Sequence, residues 1–198
     1  MSYKSETFAN ELNWIKDGNK REYCKNVLEA LPDYFFSVAA SSTGKYHPEY
    51  ALGEGGLVRH TKAAVTIAYD LLGLEMYSKY TPAERDNILI ALILHDGLKH
   101  GPQGGRYTVF RHPLDIAEFL EAGDEWQDYM EEGDFCQICA GLRSHMGGND
   151  WRIDKRTGLE LPKPVSAFQK FVHQCDYLAS RKYLEVNFDK IDYGGDRV

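Results

Sequence analysis

No apolar run in this 198-residue sequence approaches the roughly 20 residues that a helix needs to cross a bilayer. The N-terminus, Met1-Ser2-Tyr3-Lys4-Ser5-Glu6, lacks the basic-then-apolar build of a secretory leader. A cytoplasmic chain with no membrane partner is therefore expected. Cysteine is scarce, with only Cys24, Cys136, Cys139 and Cys175 present, and without an export signal free thiols are expected rather than disulfides. Cys136 and Cys139 form a C-x-x-C pair, but no second pair exists to complete a four-sulfur zinc site. The pair lies in a helical pattern, Phe135 to Leu142, where a packing role is expected. Positive charge is also short: 23 Lys and Arg stand against 30 Asp and Glu, a formal net charge of -7. That balance argues against a long nucleic-acid surface, which rests on many contacts between cations and phosphates. A small phosphorylated ligand held by a few local cations remains compatible, as does a short oligonucleotide end.

Internal repeats, low-complexity linkers and alternating strand patterns are absent as well. Arg152-Ile153 and Leu159-Glu160-Leu161 can make at most a small hairpin. What the chain does have is helical apolar spacing in most segments. Hydrophobic residues make up 43% and charged residues 27%, as in ordinary globular proteins. Aromatics at 13% supply large side chains to fill the space between helices. Phe8, Leu12 and Ile15 predict a first helix, and Tyr23, Val27, Leu28 and Leu31 a second that Pro32 stops. A helical turn is expected over 33–40. A Gly- and Pro-containing loop, Ser41 to Pro48 and on through Gly53 to Gly56, breaks regular structure. A long helix follows over 57–74. Thr81-Pro82-Ala83-Glu84 combines a capping box with proline at the first helical position, and the helix it opens ends near His95-Asp96. Further helices are expected from His112-Pro113, over 134–145 ahead of Gly147-Gly148, and over 164–181. The fold class is all-α, a single-domain helical bundle over 1–198, with its core at about 39–181 and residues 1–38 packing on it as N-terminal helices.

The chemistry-bearing residues recur at one kind of place. Neighbours inside a helix diverge by ~100°, but at a helix end the backbone can aim both His95 and Asp96 at one point, and Gly97 permits a turn there. An imidazole beside a carboxylate suits a first-row transition metal. His60 has Leu57, Ala64, Ile67 and Leu71 at helical offsets, so it lies on the inward face. His145 likewise has Leu142, Ile138 and Phe135 behind it, and Asp176 has Val172 and Phe168. A carboxylate buried on such a face needs a cation. His112 opens a helix just before Pro113. Five segments thus present His60, His95-Asp96, His112, His145 and Asp176, each near a helix end or on an inward face. One such residue alone is a satisfied core histidine or an ordinary dipeptide; together they point to a metal site.

The run Gly55-Gly-Leu-Val-Arg-His60-Thr, then Leu94-His95-Asp96-Gly-Leu-Lys99, then His112, His145 and Asp176, resembles the HD superfamily of metal-dependent phosphohydrolases in its five-segment, two-metal form. The loop Ala39 to His47 is similar to the segment before the first metal histidine in bacterial HD-type 3′-to-5′ exoribonucleases. The resemblance spans about Ala39 to Arg181. One departure is that glycine follows Asp96 directly at Gly97, where family members often carry it one residue later; Lys99 keeps its place. The resemblance implies that Asp96 bridges two divalent ions (Mn, Fe, Co, Ni or Zn), with His60, His95 and Asp176 completing one site and His112 and His145 the other. It implies hydrolysis of a nucleotide phosphoester or phosphodiester by a metal-activated water. Asp96 and Lys99 would be the catalytic residues, Lys99 neutralising developing charge. Lys45, His47, Arg111 and Arg143 are the further candidates for holding phosphate, beside Lys99, and His100 and His173 are read as surface histidines. Two other readings remain open. Some superfamily members, the myo-inositol oxygenases among them, use a similar ligand set to hold two irons and activate dioxygen. A non-catalytic nucleotide sensor is the third, against which six intact ligand positions and Lys99 argue. The sequence gives neither the substrate nor the oligomeric state.

Overall fold

Thr81 starts the helix around which the others gather. In the computed structural model its hydroxyl accepts from the Glu84 amide at 3.2 Å, and the Glu84 carboxylate accepts from the Thr81 amide at 2.9 Å. This reciprocal pair and Pro82 open α5, Pro82–Leu94. From Asp86 to Leu94 every residue of α5 is buried, so the helix is enclosed on all faces, as expected for a core helix without a polar stripe. The structure describes residues 3–41, 44–45, 47–148 and 152–184. Ser42, Thr43 and Tyr46 of the loop read from sequence, and the two ends of the 1–198 span, lie outside the described residues.

Around α5 lie α4 (Gly56–Leu72), α7 (Glu132–Ser144) and α8 (Ala167–Ala179), and α6 (His112–Glu121) packs on α7. The N-terminal segments α1 (Tyr3–Glu6), α2 (Ala9–Trp14) and α3 (Gly18–Ala30) close one side, with α2 touching α4 and α5 and α3 touching α5. One buried cluster runs from Phe8 through Leu28, Val65 and Ile90 to Val172. The fold is an all-helical bundle. Among the described residues, the place of a hairpin is taken by the single antiparallel bridge Ile153–Glu160, and no helix is long and apolar enough to cross a membrane.

Three boundaries differ from the sequence reading. The first expected helix is α2, which Phe8 caps and Ala9 begins, and the short α1 ahead of it was not anticipated. The segment 33–40 forms only a short 3-10 turn, Asp33–Phe36. The last helix starts at Ala167 rather than 164, because Ser166 and Gln169 form a second capping box there. Cys139 is buried but Cys136 is exposed, so only one member of the C-x-x-C pair packs in the core.

A buried polar knot joins three helices. Lys20 Nζ of α3 donates to Asn87 Oδ1 of α5 at 2.9 Å and pairs with Asp134 of α7 at 2.8 Å. Asn87 Nδ2 donates to Asp134 at 2.7 Å and to Gln137 at 2.8 Å. Burial opposes ionisation of Asp134, but the bonds from Lys20 and Asn87 outweigh it and hold the carboxyl below its ordinary range. Its contribution to stability is therefore present above the unfolded carboxylate pKa and is lost as pH falls through the lower folded value. Lys20→Met leaves Asp134 without its cation. The expected loss is about 2 kcal/mol, less than for a fully buried pair because Asp134 keeps some water contact. That corresponds to a Tm lower by roughly 4–8 °C at neutral pH, narrowing in acid; thermal melts across pH check it, and an unchanged Tm would refute it.

Candidate metal centre

Each candidate ligand is delivered by a helix or its end. The N-terminus of α4 is set by two glycines: Gly55 takes a left-handed φ of 67°, and a Cβ on Gly56 would lie 2.3 Å from the Ala51 carbonyl oxygen. Arg59 holds the preceding loop by donating to the Tyr50 and Leu52 carbonyls. One turn into α4, His60 points into the interior. The backbone continues helically from α5 through His95, at φ -52° and ψ -39°. Gly97 does not have the positive φ that a glycine turn would show. Its role is close approach, since a Cβ there would lie 2.9 Å from Leu31 Cδ2 and 3.1 Å from Ile116 Cδ1. His112 opens α6, His145 follows the last residue of α7, and Asp176 lies in α8.

These six side chains converge. Asp96 sits between two groups and offers one oxygen to each. Its Oδ2 lies 3.3 Å from His95 Nε2 and 3.7 Å from His60 Nε2. Its Oδ1 lies 3.1 Å from His112 Nε2 and 3.7 Å from His145 Nε2. Asp176 Oδ1 joins the first group, 3.0 Å from His60 Nε2 and 3.5 Å from His95 Nε2. The four histidines and Asp96 are almost fully buried. Both His60-His95-Asp96 and Asp96-His112-His145 can hold a metal ion.

The histidine tautomers carry the chemistry of the donor set. His95 Nδ1 donates to the Leu92 carbonyl at 2.6 Å, His112 Nδ1 to Val109 at 2.7 Å and His145 Nδ1 to Leu142 at 2.7 Å. Each bond reaches back three residues, and each fixes the proton on Nδ1 so that Nε2 faces the carboxylates, as the ring of a metal-ligating imidazole must. His60 is the exception: its Nδ1 is buried without a hydrogen-bond partner among the described residues. Burial pushes the His145 ring down to about 4 against the pull of Asp96, so it is neutral at neutral pH. Burial also opposes a proton on His95, but Asp96 and Asp176 prevail and raise it to about 10. Despite burial, Asp96 is held well below the usual carboxylate range by Lys99 and His95, and Asp176 by His60 and His95. The two carboxylates thus have the histidine rings and Lys99 as their partners. Divalent cations fit a site of this composition.

Lys99 is buried and its ammonium pairs with Asp96 Oδ2. Tyr34, which the sequence reading did not single out, clamps the loop that carries it: the hydroxyl donates to Gly101 O at 2.9 Å and accepts from the His100 amide at 3.3 Å. The Tyr34 ring stacks on His100, so His100 is half-buried rather than a surface residue. No sequence signal links positions 34 and 100. His47 is half-buried with its ring centroid 5.3 Å from that of His60. Burial, His60 and Lys99 lower it to about 4, so it is a neutral hydrogen-bonding ring. Lys45 is exposed two residues before it. Arg111 pairs with Asp115 and Glu118, and Arg143 with Glu121, so both guanidinium groups are engaged with carboxylates rather than directed at the six side chains. His173 is not a surface residue either: its Nδ1 donates to the His145 carbonyl. Its offset of three from Asp176 was the available signal, because residues so spaced are neighbours on a helix.

Comparison of the chain with protein-family models, with curated proteins and with solved structures gives no match.

Proposed function

We propose that this chain is an HD-type metal-dependent phosphohydrolase that cleaves a nucleotide phosphoester or phosphodiester. His60, His95 and Asp176 with Asp96 Oδ2 would hold one divalent ion, and His112 and His145 with Asp96 Oδ1 the other. Ions held there would supply Lewis acidity and an acidified water. The protein's own part is to fix the imidazoles of His95, His112 and His145 in acceptor orientation, exclude bulk water, and place a cation where phosphate charge develops. The observation that carries hydrolysis over other metal chemistry is Lys99, a buried ammonium against the shared carboxylate oxygen. A fixed cation at that point suits an anionic substrate and strengthens as charge grows in the transition state. His47 can hydrogen-bond a substrate oxygen from the loop, and Lys45 adds charge at its edge. Arg111 and Arg143 would join only by leaving their carboxylates.

Metal-stripped protein reloaded with Mn²⁺ or Co²⁺ is expected to release nitrophenol from bis(p-nitrophenyl) phosphate and phosphate or nucleoside from a nucleotide panel, under strict anaerobiosis. A hydrolase needs no redox change at its metals. Turnover that demands iron together with dioxygen, with no phosphoester cleaved, would replace this reading with the di-iron oxygenase. Nucleotide binding with no turnover under any metal would leave the sensor.

A further inference from the structure

We propose that His173 is a positioning residue for one half of the metal centre: it anchors the end of α7 so that His145 keeps its aim at Asp96 Oδ1. The proposal rests on the metal reading above.

His145 occupies the C-cap of α7, where backbone carbonyls have no intrahelical partner. Its carbonyl accepts from His173 Nδ1 of α8, while its own ring donates through Nδ1 to Leu142 O. The residue is thus held at two points, its ring by its own helix and its backbone by the neighbouring one. The segment that follows is moulded to this contact. A Cβ on Gly148 would fall 2.3 Å from His173 Nε2 and 2.6 Å from its Cε1. A Cβ on Gly147 would fall 1.9 Å from the Pro162 carbonyl oxygen. The two glycines therefore let the chain pass between the His173 ring and Pro162. Helix α8 serves both halves: Asp176 meets His60 and His95 through its carboxylate, and His173 meets His145 through its backbone. The contact needs only a hydrogen on Nδ1.

Metal affinity separates this role from a merely structural one, because a general loss of packing would weaken both halves. Co²⁺ and Mn²⁺ are titrated into metal-free full-length protein by competition with a chelator, with circular dichroism melts as a check on folding. His173→Ala is expected to weaken one of two metal equivalents by roughly 10–100-fold, the usual effect of losing an outer-shell partner, and to leave the other within about twofold, the scatter expected of an uncoupled site. His173→Asn, whose amide N–H can reach the same carbonyl, should recover most of the loss. Gly148→Ala, which displaces the ring, should reproduce it, and adding Gly148→Ala to His173→Ala should change little further. In a His145→Ala background, His173→Ala should have no further effect on metal. Unaltered affinity in both equivalents, or equal weakening of both, overturns the proposal. Wild-type protein that takes up no metal overturns the metal reading itself, and the proposal with it.

Discussion

Asp96→Ala is expected to lose both metal equivalents, whereas His145→Ala loses one. The two oxygens of Asp96 face different histidine pairs, with Oδ2 toward His60 and His95 and Oδ1 toward His112 and His145. Removing the residue takes an anionic donor from each half at once. Loss of an outer-shell partner alone weakens metal binding by roughly 10–100-fold, so loss of a shared carboxylate should exceed that in both halves. His145→Ala leaves Oδ2, His60, His95 and Asp176 in place. Asp96→Ala also strands buried Lys99 without its anion, an expected destabilisation of about 3 kcal/mol. Elemental analysis of folded protein at low temperature reads the stoichiometry, and equal loss in the two variants would refute the bridging role.

Lys99→Ala is expected to lower kcat by roughly 10²–10³-fold, the loss typical of one electrostatic donor to a developing anion, while metal content is maintained. The second half of that expectation has a structural basis. The Lys99 ammonium lies against Asp96 Oδ2, the oxygen that the His60–His95 ion would need. Lys99 therefore competes with that ion, and its removal should leave metal affinity unchanged or slightly raised. A fall in kcat with full metal occupancy assigns Lys99 to the substrate. A fall that tracks lost metal would show instead that Lys99 only maintains the charge balance around Asp96.

The fold was legible because most helices announce themselves locally. Thr81-Pro82 with Glu84 marks the start of α5 to the residue, and Pro32 lies just beyond the end of α3. The boundaries that moved are those decided by tertiary contact or by a cap not weighed, as at Phe8 and Ser166. The six converging residues were legible for a related reason. A histidine or aspartate at the apolar offsets of an amphipathic helix is an anomaly that burial makes expensive, and His60, His145 and Asp176 all stand there. Nothing in the spacing could say which oxygen of Asp96 faces which histidines. Nor could it show that Arg143 of α7 finds Glu121 of α6, or that the Tyr34 hydroxyl pins a loop some 66 residues away. Those facts depend on how helices lie across one another. Gly97 is instructive: its presence was noticed, but its reason is the Leu31 and Ile116 side chains packed against it.

The enclosure of α5 has a consequence for how this protein can change. Amides in a helix surrounded on every side exchange with solvent only through openings close to global unfolding, and His95 and Asp96 directly continue that helix. The His95–Asp96 pair thus inherits the persistence of the whole domain. The exposed turn after Gly101 is a surface loop, of the kind that tolerates insertion. Inheritance along this chain is therefore divided. A loop of that kind can be lengthened, grafted or randomised, while His95 and Asp96 stay anchored in the part of the protein that is last to come apart.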